Sequence, residues 1–408
     1  MMESEVFTGR HSKQYLTEDQ IVKLPGTQTI CSSVDSSCPL PGDVRATWAE
    51  ISVGRLKRNL AAVRQRVGKV KVMIVVKANA YGHGLLEVSR ALADKSDYIG
   101  VAVLEEGILL RRNGITTPIL VLGGVWGDQI VRYLQHDLTL TASSTERLEQ
   151  INAVAGSLKI RAKVHIKIDT GMERIGIHFY NAHKLQEAAL SCRNIEIEGI
   201  YSHLANADAR GSAREQIERF NEVMRFYERR DLPVPMRHIA NSAAILQLPE
   251  SYMDMVRPGI ILYGVYPSAE VERTIDVYPA LEWKSRVVYF KVVQPGHSVS
   301  YGGLWQSDRE TRVVTLPVGY GDGYFRRMSG HARVIIHGKK YQQVGAICMD
   351  QMMVNLEQGT AWNGDEATLL GESGNERITA EDLAEWAGTI PYEILTNINS
   401  RVPRVYMQ

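Results

Sequence analysis

Apolar positions along this chain follow two regimes that change near residue 280. From about 44 to 280, short runs rich in β-branched residues alternate with stretches in which apolar residues recur every three or four positions. The runs at 70–76, 98–103, 119–122, 161–168, 195–202, 237–240 and 255–259 predict strands. Between them, 56–67, 85–93, 144–154 and 213–229 have the spacing of amphipathic helices. Strand–helix alternation over about 230 residues predicts a parallel sheet, and that length suits a (β/α)8 barrel of the TIM type. No Gly-x-Gly-x-x-Gly follows the first strand, which counts against a dinucleotide-binding sheet.

Beyond residue 280 the runs at 283–293, 312–317, 332–336, 344–347, 352–355 and 366–370 are short and β-branched, separated by Gly, Asp and Asn turns. They predict a mostly-β C-terminal domain with one late helix at 379–386. At the other end, residues 1–43 carry little pattern, and 27–42 are rich in Ser, Thr, Pro and Gly. That composition predicts an N-terminal extension outside the packed core. The chain therefore divides into 1–43, a barrel at 44–280 and a β domain at 281–408.

Composition narrows the picture by exclusion. Lys plus Arg (47) nearly balance Asp plus Glu (46), so net charge suggests neither nucleic acid nor an anionic membrane as partner. No apolar stretch is long enough to span a bilayer. Residues 1–15 lack the apolar segment of a secretory signal. Cys31 and Cys38 lie in the extension, Cys192 and Cys348 lie far apart, and no Cys or His pair has convincing zinc spacing. A cytoplasmic protein without a metal centre is the expectation.

Candidate chemistry begins at Lys77, where the apolar run 72–76 ends and Ala78-Asn79-Ala80-Tyr81-Gly82-His83-Gly84 follows. Barrels keep their chemistry at the C-terminal ends of strands. An amine held in a dry pocket there loses proton affinity and becomes a nucleophile able to form a Schiff base with an aldehyde cofactor. A lysine snorkelling to solvent from a strand end would carry the same local sequence. Two further strand ends, Ile239-Ala-Asn-Ser242 and Arg257-Pro-Gly-Ile260, offer free backbone N–H groups suited to an anion.

The unbroken string Val75-Val-Lys-Ala-Asn-Ala-Tyr-Gly-His-Gly84 resembles the pyridoxal-phosphate attachment segment of bacterial alanine racemases. The resemblance extends over about 44–408. It implies a barrel followed by a β domain, with the first strand, near 47–51, joining the β domain. It also implies pyridoxal 5'-phosphate as cofactor, a small amino acid as substrate, and a homodimer with shared active sites.

Residue by residue, the resemblance makes Lys77 the Schiff-base lysine and the base for the D-face. Tyr81, Ser242, Gly259, Ile260 and Tyr392 would hold the cofactor phosphate. Arg257 would face the pyridine nitrogen; since arginine cannot accept a proton, that nitrogen would stay neutral, a weaker electron sink that disfavours transamination. Tyr301, in Val299-Ser-Tyr-Gly302, matches the opposite-face base, which takes the L-enantiomer's proton and reaches the cofactor of the other subunit. A free tyrosine titrates near 10, so nearby positive charge would have to activate it. His203 resembles the histidine that links this tyrosine to Arg257. Arg174 resembles the arginine that contacts the cofactor's phenolic oxygen and the substrate carboxylate. Lys167 matches a position often carbamylated, and the backbone amide of Met349 would meet the substrate carboxylate from the second subunit. Tyr320, Arg326 and Asp208 would line the entrance.

These residues imply an alanine racemase that interconverts L- and D-alanine by a two-base mechanism and supplies D-alanine for peptidoglycan. Broad-specificity or serine racemases of the same fold are the alternative, and Tyr392 favours alanine because serine-preferring relatives carry a smaller polar residue there. An amino-acid decarboxylase of the same fold would need a catalytic cysteine and substrate-binding acids instead of Tyr301. A pyridoxal-phosphate-binding protein of a single barrel would lack the β domain.

Overall fold

The computed structural model describes residues 45–208 and 210–408. The extension expected at 1–43, with Cys31 and Cys38, lies outside the described residues.

Eight parallel strands form a barrel: Lys71–Val75, Tyr98–Val101, Ile119–Val121, Leu140–Ala142, Ala162–Asp169, Ile195–Tyr201, Met236–His238 and Met255–Val256. The bridge Leu120 to Thr139 joins the two halves on one side. On the other, Asp254 N donates to Arg237 O (3.1 Å) and Arg257 N to Ala240 O (3.1 Å). Seven of the strands fall where the apolar runs predict them. The eighth, Leu140–Ala142, escapes that pattern because its central Thr141 is buried and polar, satisfied by Val121 O (2.7 Å) and the Tyr201 hydroxyl (2.8 Å).

The first barrel helix shows why the outer layer forms. In Val53–Val67, Leu56, Leu60, Val63 and Val67 share one buried stripe. Ser52 Oγ caps its start by accepting from Arg55 N (3.2 Å). Gly68, at φ 65°, ends it. Helices Leu104–Arg112, Ile130–Gln135, Ala182–Ser191 and Ser242–Gln247 add to the four expected from periodicity.

The β domain is built on a ten-stranded sheet that captures both ends of the described chain. Thr47–Ser52 pairs antiparallel with Leu281–Arg286 and parallel with Arg404–Met407. Two expectations change here. The run 283–293 is two strands, Leu281–Arg286 and Tyr289–Val293, which are interrupted at Val287–Val288 and pair with different neighbours. The single late helix is a pair, Ala380–Ala387 and Pro391–Asn397, and the second, started by Pro391, carries Tyr392.

Arg404 fastens the two regions together. Its buried guanidinium donates to Gly82 O (2.9 Å) in the barrel loop and to Val402 O (2.6 Å) and Ile398 O in the β domain. Among the described residues, no helix is long and apolar enough to cross a membrane. No group of three His, Cys, Asp or Glu among them could hold a metal ion.

Candidate active site

Lys77 begins the turn that follows strand Lys71–Val75, at the C-terminal mouth of the barrel. That turn is left-handed: Ala78, Asn79, Ala80 and Tyr81 all have φ between 52° and 55°. Left-handed backbone costs about 1–2 kcal/mol per non-glycine residue, so something must hold it. Asn79 Oδ1 accepts from Leu85 N (2.8 Å), Asn79 O from Gly84 N (2.9 Å), and Glu106 Oε1 from Ala78 N (2.7 Å). Tyr81 is buried, its ring stacked on Tyr263 at 4.8 Å and 6.1 Å from that of Tyr392. Gly82, at φ 83°, lies so near helix Pro391–Asn397 that a Cβ would come within 2.1 Å of Leu395 O.

Two hydroxyls and two first-turn amides lie beside this turn. Gly259 N donates to Ser242 Oγ (2.9 Å), and a Cβ on Gly259 would stand 2.7 Å from Tyr81 Oη and 3.6 Å from Ser242 Oγ. The space exists because glycine leaves it open. Ser242 opens helix Ser242–Gln247 and Ile260 opens the 3-10 turn Ile260–Tyr263, so their N–H groups have no partner within their own helices. Hydroxyls and first-turn amides around a glycine fit a phosphate ester.

Arg257 lies deeper, at 4% exposure. Its NH1 donates to His238 Nδ1 (2.8 Å); its NH2 donates to Ser202 O (2.8 Å) and Ile239 O (3.1 Å) and faces His203 Nδ1 (3.3 Å). Because a guanidinium only donates, His238 Nδ1 accepts, and its Nε2–H points to His165 Nδ1 at 2.9 Å. Burial and the Arg257 charge hold His203 and His238 well below the ordinary histidine range and His165 at about 3. Burial alone draws Arg257 down to about 10. Neutral imidazoles thus surround one buried cation.

Burial, then the charge of Arg174, lowers the proton affinity of the Lys77 amine, and Arg257 adds to this while Glu106 opposes it. Arg174 itself is exposed. Its loop is shaped by Asp169, whose carboxylate accepts from Gly171 N (2.8 Å), Met172 N (2.9 Å) and Arg174 N (3.2 Å). Lys167, on strand Ala162–Asp169, is buried with Nζ 4.7 Å over the Tyr201 ring. Burial and then Arg257 push its amine well below the usual lysine range.

Tyr301 and Met349 stand apart. Tyr301 is 74% exposed beside the ribbon formed by Ser298–Val299 and Trp305–Gln306, and Met349 is 52% exposed. Among the described residues, neither side chain makes a hydrogen bond or ring contact with the barrel cluster. Tyr320 and Arg326 are also exposed on the β domain, and Asp208 is half-buried at the barrel mouth. The structure thus gathers Lys77, Tyr81, Lys167, Arg174, His203, Ser242, Arg257, Gly259, Ile260 and Tyr392 at the barrel mouth and leaves Tyr301 and Met349 outside it. It adds His165 and His238, which sequence reasoning missed; a histidine within each of two apolar barrel strands was the available signal.

Comparison with known proteins gives the site its context. The family model for the alanine racemase N-terminal domain matches residues 51–267, and that for the alanine racemase C-terminal domain matches 280–406. The chain belongs to the alanine racemase family. Alanine racemase from Carboxydothermus hydrogenoformans is 44% identical over 369 residues, covering 89% of this chain and 100% of that protein. Its counterpart from Halothermothrix orenii is 42% identical, covering 89% and 97%. Among solved structures, alanine racemase of Clostridium difficile superposes with a TM-score of 0.84 at 38% identity, covering 89% of this chain and 96% of that one. The Bacillus anthracis alanine racemase with bound L-Ala-P superposes at 0.85 with 33% identity, covering 89% and 95%. The chain is therefore a racemase with the family's barrel and mostly-β domain.

Proposed function

We propose that this protein interconverts L- and D-alanine as a cytoplasmic homodimer carrying pyridoxal 5'-phosphate, and so supplies D-alanine for peptidoglycan. The observation that carries the reading is the juxtaposition at the barrel mouth of a lysine with lowered proton affinity and an open anion cradle. The cofactor supplies an electron sink that makes an amino acid's α-proton removable. Tyr81, Ser242, Gly259, Ile260 and Tyr392 hold its phosphate, and Lys77 is its attachment point. Arg257 would face its ring nitrogen and, as a guanidinium that can only donate, would leave that nitrogen unprotonated.

Lys77 moves the α-proton on one face, and its lowered proton affinity favours the free amine that a base must be. Tyr301 of the partner subunit moves the proton on the other face. The exposure of Tyr301, Leu304 (66%) and Met349 on the β domain supports a partner covering this surface. His203, already in contact with Arg257, relays positive charge toward the incoming phenol. Arg174 and the Met349 amide hold the substrate carboxylate. Burial and then Arg257 lower the proton affinity of the Lys167 amine, which favours its reaction with carbon dioxide to a carbamate, with release of a proton, that orients Arg174. We take 44–280 as the barrel unit and 281–408 as the β unit, with Thr47–Ser52 crossing to the latter.

The test is incubation of the purified protein and pyridoxal phosphate with L-alanine in deuterium oxide, following chirality and α-deuteration. Racemisation with deuterium uptake supports the reading. Preference for serine over alanine would move it to a serine racemase, and release of carbon dioxide to a decarboxylase.

A further inference from the structure

The left-handed turn behind Lys77 contains no glycine between Ala78 and Tyr81, so it depends on partners outside itself. One of these is a side chain on a different barrel segment. Glu106, near the start of helix Leu104–Arg112, accepts from Ala78 N with Oε1 (2.7 Å). Its other oxygen, Oε2, accepts from Ala102 N (2.8 Å) and Val103 N (3.4 Å), at the end of the neighbouring strand Tyr98–Val101. The side chain thus bridges two adjacent strand ends, with both oxygens accepting and neither free to donate.

We propose that Glu106 is a positioning residue for Lys77, a carboxylate strap that holds the left-handed turn against the next barrel strand. This rests on Lys77 being the reactive lysine of the proposed function. The carboxylate is the side chain the geometry calls for. A glutamine would set an NH2 either against Ala78 N or against the Ala102 and Val103 amides, and an aspartate is one methylene too short to reach both strand ends. The charge matters as well as the reach. Arg174 and Arg257 act on the Lys77 amine as cations, the neutral His203 lies beside them, and Glu106 is the anion that opposes them. With the strap the lysine is held in place and its affinity for a proton is moderated; without it both are lost together.

Full-length protein, purified with pyridoxal phosphate and after its removal, separates the two effects. The first readout is the pH dependence of Lys77 labelling by acetic anhydride in the cofactor-free protein, followed by peptide mass spectrometry. The second is affinity for added pyridoxal phosphate. In Glu106→Gln the labelling midpoint should move to lower pH, because the anion is gone while both arginines remain. Affinity should fall about tenfold, the scale of one lost charge-assisted hydrogen bond. Adding Ala78→Gly should restore affinity several-fold, since glycine takes positive φ without a strap, and should leave the labelling midpoint where Glu106→Gln put it. In Glu106→Asp, which keeps charge and loses reach, affinity should fall and Ala78→Gly should again restore it; this arm carries the strap test if the glutamine variant does not fold. An unmoved midpoint in Glu106→Gln, or no restoration by Ala78→Gly, overturns the proposal. If borohydride fixes no pyridoxal phosphate to wild-type Lys77, the functional reading fails instead, whatever Glu106 does.

Discussion

Lys77 and Tyr301 are proposed to do the same work on opposite faces of one carbon, yet the chain treats them in opposite ways. Lys77 is half-buried on a turn fixed by hydrogen bonds, with Arg174, Arg257 and Glu106 already tuning its charge. Tyr301 is 74% exposed, follows Ser300 at φ 66°, and precedes Gly302 and Gly303, both also at positive φ. One base is finished by the fold of a single chain. The other stands on the exposed surface of the β domain, where the proposed partner subunit would complete it. The contrast gives the second domain two proposed parts: it lends Tyr392 to the barrel mouth of its own chain and presents Tyr301 outward.

The largest expected effect breaks the barrel half. Lys77→Ala should abolish racemisation in both directions, by at least about 10⁴-fold, the upper range for a general base. Tyr301→Phe should be directional. Turnover from L-alanine falls by about 10²–10⁴, whereas α-deuteration of D-alanine, driven by Lys77, stays within about tenfold of wild type. Equal loss of both exchanges would sink the assignment of faces.

Gly82→Ala tests how rigidly the Lys77 turn is fastened. With a Cβ 2.1 Å from Leu395 O at φ 83°, urea denaturation should show a loss of more than about 2 kcal/mol, and cofactor affinity should fall with it. A silent substitution would mean the turn is loosely seated.

Acid should separate the regions too. His83 and His165 have folded-state pKa values depressed to about 4 and about 3, and His203 and His238 are also depressed, all by burial first. The unfolded chain binds protons near 6.5, before these sites can, so their contribution to stability is complete above that pH and is lost as pH falls toward 4. All four lie in the barrel, whereas His297, His331 and His337 of the β domain are exposed. Hydrogen exchange at pH 5 should therefore show barrel strands losing protection before the ten-stranded sheet. The smallest effect belongs to the surface: removing the exposed Arg214–Glu250 pair (3.5 Å) should change stability by less than about 0.5 kcal/mol.

The barrel was legible because strands such as Lys71–Val75, Tyr98–Val101 and Ile119–Val121 are buried almost throughout and read as apolar runs. Leu140–Ala142 was not, since a hydrogen-bonded buried threonine looks polar in sequence. In the β domain, the run expected at 344–347 is displaced to Lys339–Val344, because Gln343 is buried and spends its amide on Val344 O and Gly345 O. The residues gathered at the barrel mouth were found through their motifs. The left-handed turn could not be: of Ala78, Asn79, Ala80 and Tyr81, only asparagine has any leaning toward that backbone. Nor could Glu106, whose role depends on two strand ends lying side by side. Propensity is local, and these features are set by neighbours distant in sequence.

Each active site is proposed to take Lys77 from one chain and Tyr301 from the other. Mixing inactive Lys77→Ala and Tyr301→Phe proteins, with subunit exchange, tests it directly. A shared site leaves one of the two sites in every hybrid dimer with both bases intact, so an equal mixture should regain about a quarter of wild-type turnover from L-alanine. If both bases came from the same chain, every site in every dimer would stay defective and the mixture would remain inactive.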